Sequence, residues 1–301
     1  MARFGSSSRQ YLAALRMLLL FTVLLGVLYP LAVTAVAQVP GLQSRANGSL
    51  VTQGGRPVGS RVIGQAFTDA KGTPLVQYLQ SRPSAAGTGA TGYDPTSSGA
   101  SNLGPESIVD TLPDPKNKQD TGKQSLLSLV CSRSLAVGQL EGVDGSRPFC
   151  TPGGAGAVLS VFYAGPGYEG RIVQAISVND ACPAKPFLAE YLGVRVQCAT
   201  FGQDYTAGRI VPVRGSARAY AAVPANAVTA SGSGLDPNIS PDYARLQAAR
   251  VAKARAVSPA QVLAVIAKRT SGRALGFLGE PTVNVLQVNL DLDRAYPYHR
   301  G

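Results

Sequence analysis

The longest apolar pattern in the chain is "MLLLFTVLLGVLYPLAVTAVA", Met17 to Ala37, 21 residues without a charged side chain. At about 1.5 Å per residue, a helix of that length reaches roughly 31 Å, the thickness of a bilayer's hydrocarbon core. Arg3, Arg9 and Arg16 precede it, and no acidic residue does. The positive-inside rule then places 1–16 in the cytoplasm, a transmembrane helix at 17–38 and the bulk of the chain outside. Pro30 lies inside the span and removes a helix hydrogen bond, so a kink is expected there. Such a helix should pack against partner helices rather than face lipid all round. The competing reading is a cleaved signal peptide, since Ala35-Val36-Ala37 has small-x-small spacing. The apolar run, however, exceeds the ~7–15 residues usual for a signal core.

Beyond the span the pattern shortens into strands and turns. Residues 41–79 carry strand-like pieces around a Gly54-Gly55 turn. Gln80 to Pro105 is rich in Gly, Ser, Ala and Pro and holds only two charges, Arg82 and Asp94. Residues 108–220 open with a polar stretch and continue with strand-like runs at 157–163, 171–178 and 191–201. Ser240-Pro241-Asp242 reads as a helix start, with an N-cap, a proline at the first position and an acid in the first turn. Ser258-Pro259-Ala260-Gln261 reads as a second, with a capping box and an apolar stripe of Val262, Val265 and Ile266. "TVNVLQVNLDL" (282–292) reads as a strand whose side-chain parity changes, which a bulge near Leu286 would reconcile. Strand, helix, helix, strand argues α+β. The fold expected is one N-terminal transmembrane helix followed by an extracytoplasmic mixed strand/helix domain with a β-rich insertion. Its parts are 39–107, the cysteine-containing insertion 108–220, 221–297 and a tail at 298–301.

Charge and cysteine content narrow the function. The net charge is +11, but it is spread along the chain: +3 over 1–38, +2 over 39–107, +2 over 108–220 and +4 over 221–301. A nucleic-acid binder concentrates its charge on one face and interleaves it with aromatics, so nucleic acid is not expected as a partner. Cys131, Cys150, Cys182 and Cys198 all fall in 108–220. An even number in an oxidising compartment argues for disulfides, and the spacing leaves all three pairings open. No metal site is expected, because no pair has CxxC spacing and the one histidine is His299, in the tail. No catalytic residues emerge either. There is no GxSxG elbow or phosphate-cradling GxxxxGK[ST] loop, and "DTGK" (120–123) is read as chance. One oddity remains on the helical wheel for 241–257, where Gln247 and Arg250 fall on or beside the arc shared by Tyr243, Leu246 and Val257. Either their heads reach past the apolar stems to water, or the arc is a partner interface, the reading preferred here.

Seven motifs then coincide in one order: "ANGSL" (46–50), "IGQAF" (63–67), "RPSA" (82–85), "YDPTSSGASNLGP" (93–105), "VTASGSGLDPNISP" (228–241), "QAARVAKAR" (247–255) and "VNVLQVNLDLD" (283–293). With one N-terminal membrane helix, the chain resembles the KdpC family, the C subunit of the Kdp potassium-transporting P-type ATPase. The resemblance covers roughly 10–107 and 222–294, while 108–220 departs from the family pattern, in which a shorter connector is expected. It implies a non-catalytic accessory subunit in the inner cell membrane. The implied partners are a channel-like potassium-binding subunit, a P-type ATP-hydrolysing subunit and a small accessory membrane peptide. It also implies a catalytic chaperone that raises the ATP affinity of the pump subunit. ATP is then a cofactor of the complex, with none bound by this chain alone. About 16 cytoplasmic residues leave any effect on ATP binding to pass through the membrane subunits. Arg82, Ser84, Asn102, Asp236, Asn238, Gln247 and Arg250 fall in the matching motifs and become candidate partner-interface positions. On that reading Arg250→Glu weakens assembly and leaves folding intact, and 80–105 is an ordered loop rather than a linker. The rivals are a stand-alone exported envelope binding protein with a cleaved signal peptide, and a secreted enzyme using a carboxylate pair.

Overall fold

The computed structural model describes residues 4–87 and 92–299, with side chains from Ser8 onward. Arg3, residues 88–91 of the small-residue stretch and the last two residues of the tail lie outside the described residues. The chain divides into two compact units, one up to Val62 and one from Ile63. This boundary falls inside the segment 39–107, because a hairpin after the long apolar helix belongs with the first unit.

In the first unit, helix α1 (Phe4–Val23) passes through a π-helical turn (Leu24–Leu28) into α2 (Tyr29–Ala37). Described side chains from Ser8 to Val36 are all exposed, and Ser8–Ala37 is long and apolar enough to cross a membrane. The π turn has a local cause. Pro30 has no N–H to give to the carbonyl four residues back, and its ring crowds that carbonyl. The ladder widens just before it, with the Tyr29 N–H reaching the Leu24 carbonyl five residues back. Thr34 Oγ1 donates to the Pro30 carbonyl at 2.8 Å. A short α3 (Gln43–Ala46) leads to an antiparallel hairpin, β1 (Leu50–Gln53) and β2 (Arg56–Ser60). Its two-residue loop is Gly54-Gly55, both with positive φ, which matches the right-handed strand twist.

The second unit begins with irregular chain and then α4 (Leu126–Glu141). Five strands follow: β3 (Val158–Tyr163), β4 (Ile172–Ala181), β5 (Glu190–Tyr191), β6 (Val194–Ala199) and β7 (Arg209–Pro212). They form one sheet in the order β5-β6-β4-β3-β7, antiparallel except for β4 beside β6. One sheet face buries Val158, Ile176, Val178 and Ala199 under Ile108, Leu112 and Leu127 of α4. The other buries Leu159, Val161, Ala175 and Val196 against Phe187, Leu188 and Val213. The strand runs read from sequence are therefore present, while α4 was not anticipated within 108–220. Disulfides Cys131–Cys150 and Cys182–Cys198 settle the pairing and staple α4 and the β4–β6 end of this sheet.

A short α5 (Ala225–Val228), β8 (Asn238–Ile239), α6 (Pro241–Ala254), α7 (Pro259–Lys268), β9 (Thr270–Ser271), β10 (Thr282–Asn284) and α8 (Val285–Ala295) complete the unit. The small sheet runs β8-β10-β9. Both helix starts are as read: Ser240 caps α6, and Ser258 with Gln261 forms the capping box of α7. The strand expected at 282–292 is corrected. Three residues are strand and the rest is an 11-residue helix, capped by Asn284, whose side chain accepts from the Gln287 N–H. The parity change near Leu286 is thus a change of period and not a bulge. Val285, Val288, Asn289 and Leu292 fall on one buried helical face.

Candidate functional site

Residues Leu75 to Ser84 belong to no helix or strand, yet Leu79 is fully buried and Gln77 and Gln80 nearly so. Buried backbone without a ladder must find other partners, because each unpaired N–H or C=O costs free energy. Here side chains from α6 and α8 supply them. Asn289 of α8 clasps Leu79 on both sides, its Oδ1 accepting the Leu79 N–H at 2.8 Å and its Nδ2 donating to the Leu79 carbonyl at 3.0 Å. Gln247 of α6 does the same for Gln80, at 2.6 and 3.1 Å. Arg255, at the end of α6, donates to the Gln77 carbonyl, the Tyr296 carbonyl and Asp293 Oδ1, each at 2.8 Å. Its guanidinium lies 5.2 Å from the Tyr78 ring centroid.

Arg250 extends the clamp and ties it to α4. Its Nε sits 3.0 Å from both carboxylate oxygens of Glu141, at the end of α4. One terminal nitrogen donates to the carbonyls of Val76 and Tyr78, at 2.6 and 3.0 Å, and the other to Gln247 Oε1 at 2.9 Å. The Glu141 side chain is fully buried and that of Arg250 is 8% exposed. Burial pushes the Glu141 carboxyl above its ordinary range, and Arg250 pulls it back. A carboxylate at a helix C-terminus also opposes the helix dipole, so Glu141 depends on Arg250. Both Gln247 and Arg250 therefore face their own chain. Neither the snorkelling reading nor a free polar face describes them, and the expectation that Arg250→Glu spares folding is corrected. It would set a second carboxylate against Glu141 and strip two carbonyls of their donor.

A second cluster holds the small-residue loop. Arg82 pairs with Asp236 at 3.1 Å and donates to the carbonyls of Thr229 and Ala230. Tyr93 donates to the Arg82 carbonyl at 2.9 Å and also approaches the Asp236 carbonyl. Ser84 Oγ donates to the Gly234 carbonyl at 2.6 Å, and the Ser231 N–H donates to the Pro83 carbonyl at 2.9 Å. Gly234 has φ +72 and lies so close to Ala86 and the Gly99 carbonyl that a Cβ would collide. The described part of the loop is thus ordered, and its small residues permit close backbone approach. Asn238 is half-buried and receives the Asn284 side-chain amide at 3.4 Å. Asn102 stands apart, exposed, with φ +55.

Sequence reasoning missed Asn289, Arg255, Glu141 and Tyr78. Asn289 had a signal, since helical period puts a lone amide on an otherwise apolar face. Glu141 had one too, as an acid in a helix's last turn. Arg255 had none.

Two measurements follow. Arg250→Met and Glu141→Gln are each expected to cost about 3–5 kcal/mol in the unfolding free energy of the purified full chain, with the double variant costing clearly less than the sum. Singles costing under about 1 kcal/mol would mean the pair is not buried as described. Burial, and then the Asp236 charge, push the Tyr93 hydroxyl up to about 12 from 10.0. The unfolded chain loses that proton first as pH rises. Stability from this group is intact below pH 10 and falls toward pH 12, by at most about 3 kcal/mol. Tyr93→Phe should flatten that alkaline fall, while losing about 1 kcal/mol at pH 7 with its hydrogen bond. An unchanged alkaline limb in pH-dependent denaturation would contradict the assignment.

The family model described as "K+-transporting ATPase, c chain" matches residues 11–113 and 203–294. The clamp side chains of Gln247, Arg250, Arg255 and Asn289 lie in those stretches, whereas Glu141 with α4, the four cysteines and β3 to β6 lie in the unmatched part. Three proteins named "Potassium-transporting ATPase KdpC subunit" run through that part as well. The one from Kineococcus radiotolerans is 38% identical over 96% of this chain and 95% of its own length. Those from Beijerinckia indica and Mycobacterium tuberculosis are 36% and 35% identical, over 94% and 95% of this chain and 92% and 98% of their own lengths. A match over more than half of the chain, and identity above 30% along nearly full length, establish that the chain belongs to the KdpC family, the c chain of the K+-transporting ATPases.

Proposed function

We propose that this chain is the non-catalytic, single-span accessory subunit of an ATP-driven potassium importer. The observation that carries the reading is the family match on both sides of the insertion, joined to an exposed helix of bilayer length at Ser8–Ala37. Its role is assembly: it binds and stabilises a channel-like potassium-binding subunit, a P-type ATP-hydrolysing subunit and a small accessory membrane peptide. The N-terminus lies in the cytoplasm and the second unit outside. Arg9 and Arg16 before the apolar core support that orientation, as do two disulfides, which persist in oxidising compartments. ATP is used by the complex, and any chaperone effect on its binding travels through the membrane subunits.

Residues 108–220 act in this reading as an added extracytoplasmic module, bolted to the family fold by Arg250 and Glu141. Of the seven interface positions, Asn102 is the one the fold leaves fully on the surface, so it is the first to probe for partner contact. Arg82, Ser84, Asp236, Gln247 and Arg250 serve partners indirectly, by shaping the surface built on the clamped segment. The stand-alone envelope protein is the weaker reading, since a cleaved signal would discard the bilayer-length helix that falls within the family match.

The test is an affinity pull-down of tagged full-length protein from mild-detergent membranes of potassium-starved cells, with partners and intact mass read by mass spectrometry. Co-purification of a P-type ATPase chain and a many-helix channel-like chain, with Met17–Ala37 still attached, is expected. A lone protein truncated near Gln38 would overturn the proposal.

A further inference from the structure

Between β9 and β10 the chain makes a finger with an apolar tip. Leu275 is 82% exposed, Phe277 68% and Leu278 50%, all within four residues. The stem is pinned. The β9 and β10 strands pair, the Ala274 and Leu278 backbones exchange hydrogen bonds at 2.9 Å in each direction, and Arg273 pairs with Glu280 across the stem at 2.7 Å. Leu275 has φ +52, a left-handed conformation that disfavours a bulky side chain and would be relieved by glycine. A leucine in a strained conformation therefore stands strongly exposed on a hydrogen-bonded loop, beside an exposed phenylalanine, and neither contributes to the buried core.

The charge around the finger indicates what the tip meets. Lys268, Arg269, Arg273 and Arg294 face two carboxylates, Glu280 and Asp291, so the base of the finger keeps a net positive charge. An apolar wedge behind a cationic collar complements a layer that is anionic at its surface and apolar beneath. We propose that the finger Arg273–Glu280 is a second membrane contact, with Leu275, Phe277 and Leu278 in the acyl boundary and the basic collar on lipid phosphates. This rests on the reading above that the chain is held at a bilayer by its N-terminal helix. Tethering makes lipid the partner always within reach, so that a weak interfacial contact is sufficient.

The chain has no tryptophan, which supplies the probe. Phe277→Trp in the full chain, reconstituted into vesicles of phosphatidylcholine and phosphatidylglycerol, should emit at shorter wavelength than a control Tyr220→Trp, at a position 92% exposed. It should also be quenched by brominated acyl chains, where the control is not. Adding Leu275→Asp should reverse both effects, and high salt or purely zwitterionic vesicles should weaken them. Flotation of the same vesicles reads anchoring separately. A chain that floats while position 277 stays as water-exposed as the control overturns the finger proposal alone. A probe that becomes buried only when the other subunits are added also overturns it, in favour of a protein partner. A chain that does not float removes the anchoring reading and the finger with it.

Discussion

The fold of the second unit depends on satisfying the backbone of one buried segment that has no strand to pair with. Val76 to Gln80 present five consecutive carbonyls to side chains: Arg250, Arg255, Arg250 again, Asn289 and Gln247. A sheet would meet this need with a neighbouring backbone. Here two helices meet it with amides and guanidinium groups, which are long enough to reach in and have fixed donor geometry. The clamp also sets the positions of α6 and α8, because each holds the same short segment from its own side.

The arrangement couples distant parts of the sequence. Gln247 receives from both the Gln80 N–H and Arg250, and Arg250 in turn holds Glu141, so α4, which packs on the five-stranded sheet through Leu127, hangs on the same network. Arg82 and Tyr93 form a separate cluster that holds the small-residue loop to Asp236. Motifs that look like scattered surface signatures in the sequence therefore meet in two polar clusters, one around Gln247 and Arg250 and one around Arg82 and Asp236. Among the described residues no buried side-chain nitrogen or oxygen lacks a partner, as such a network requires.

Some of this was legible beforehand. The membrane-length helix, the Gly54-Gly55 turn, the sheet strands and both capped helix starts came from local pattern and local chemistry. The helix at 285–295 did not, because its β-branched valines and alternating polarity mimic a strand over short windows. Its Asn284 cap and the lone Asn289 were the contrary signals. The α4 helix was hidden by its serines and glycine, two of which, Ser134 and Gly138, pack against Gly145 of the following loop. Gln247 and Arg250 were rightly seen as misplaced on an apolar arc. What no helical wheel could show is that the arc faces an irregular stretch of the same chain some 170 residues earlier in sequence, which needs polar partners.

Amide hydrogen exchange at Leu79 and Gln80 in the full-length protein, in detergent at neutral pH, addresses the clamp most directly. If Asn289 and Gln247 hold those two amides, they exchange as slowly as the interior of α6, through global opening alone, despite lying outside any helix or sheet. Exchange within seconds, while α6 and α8 stay protected, would mean the segment is not clamped and that the two amide side chains serve something else.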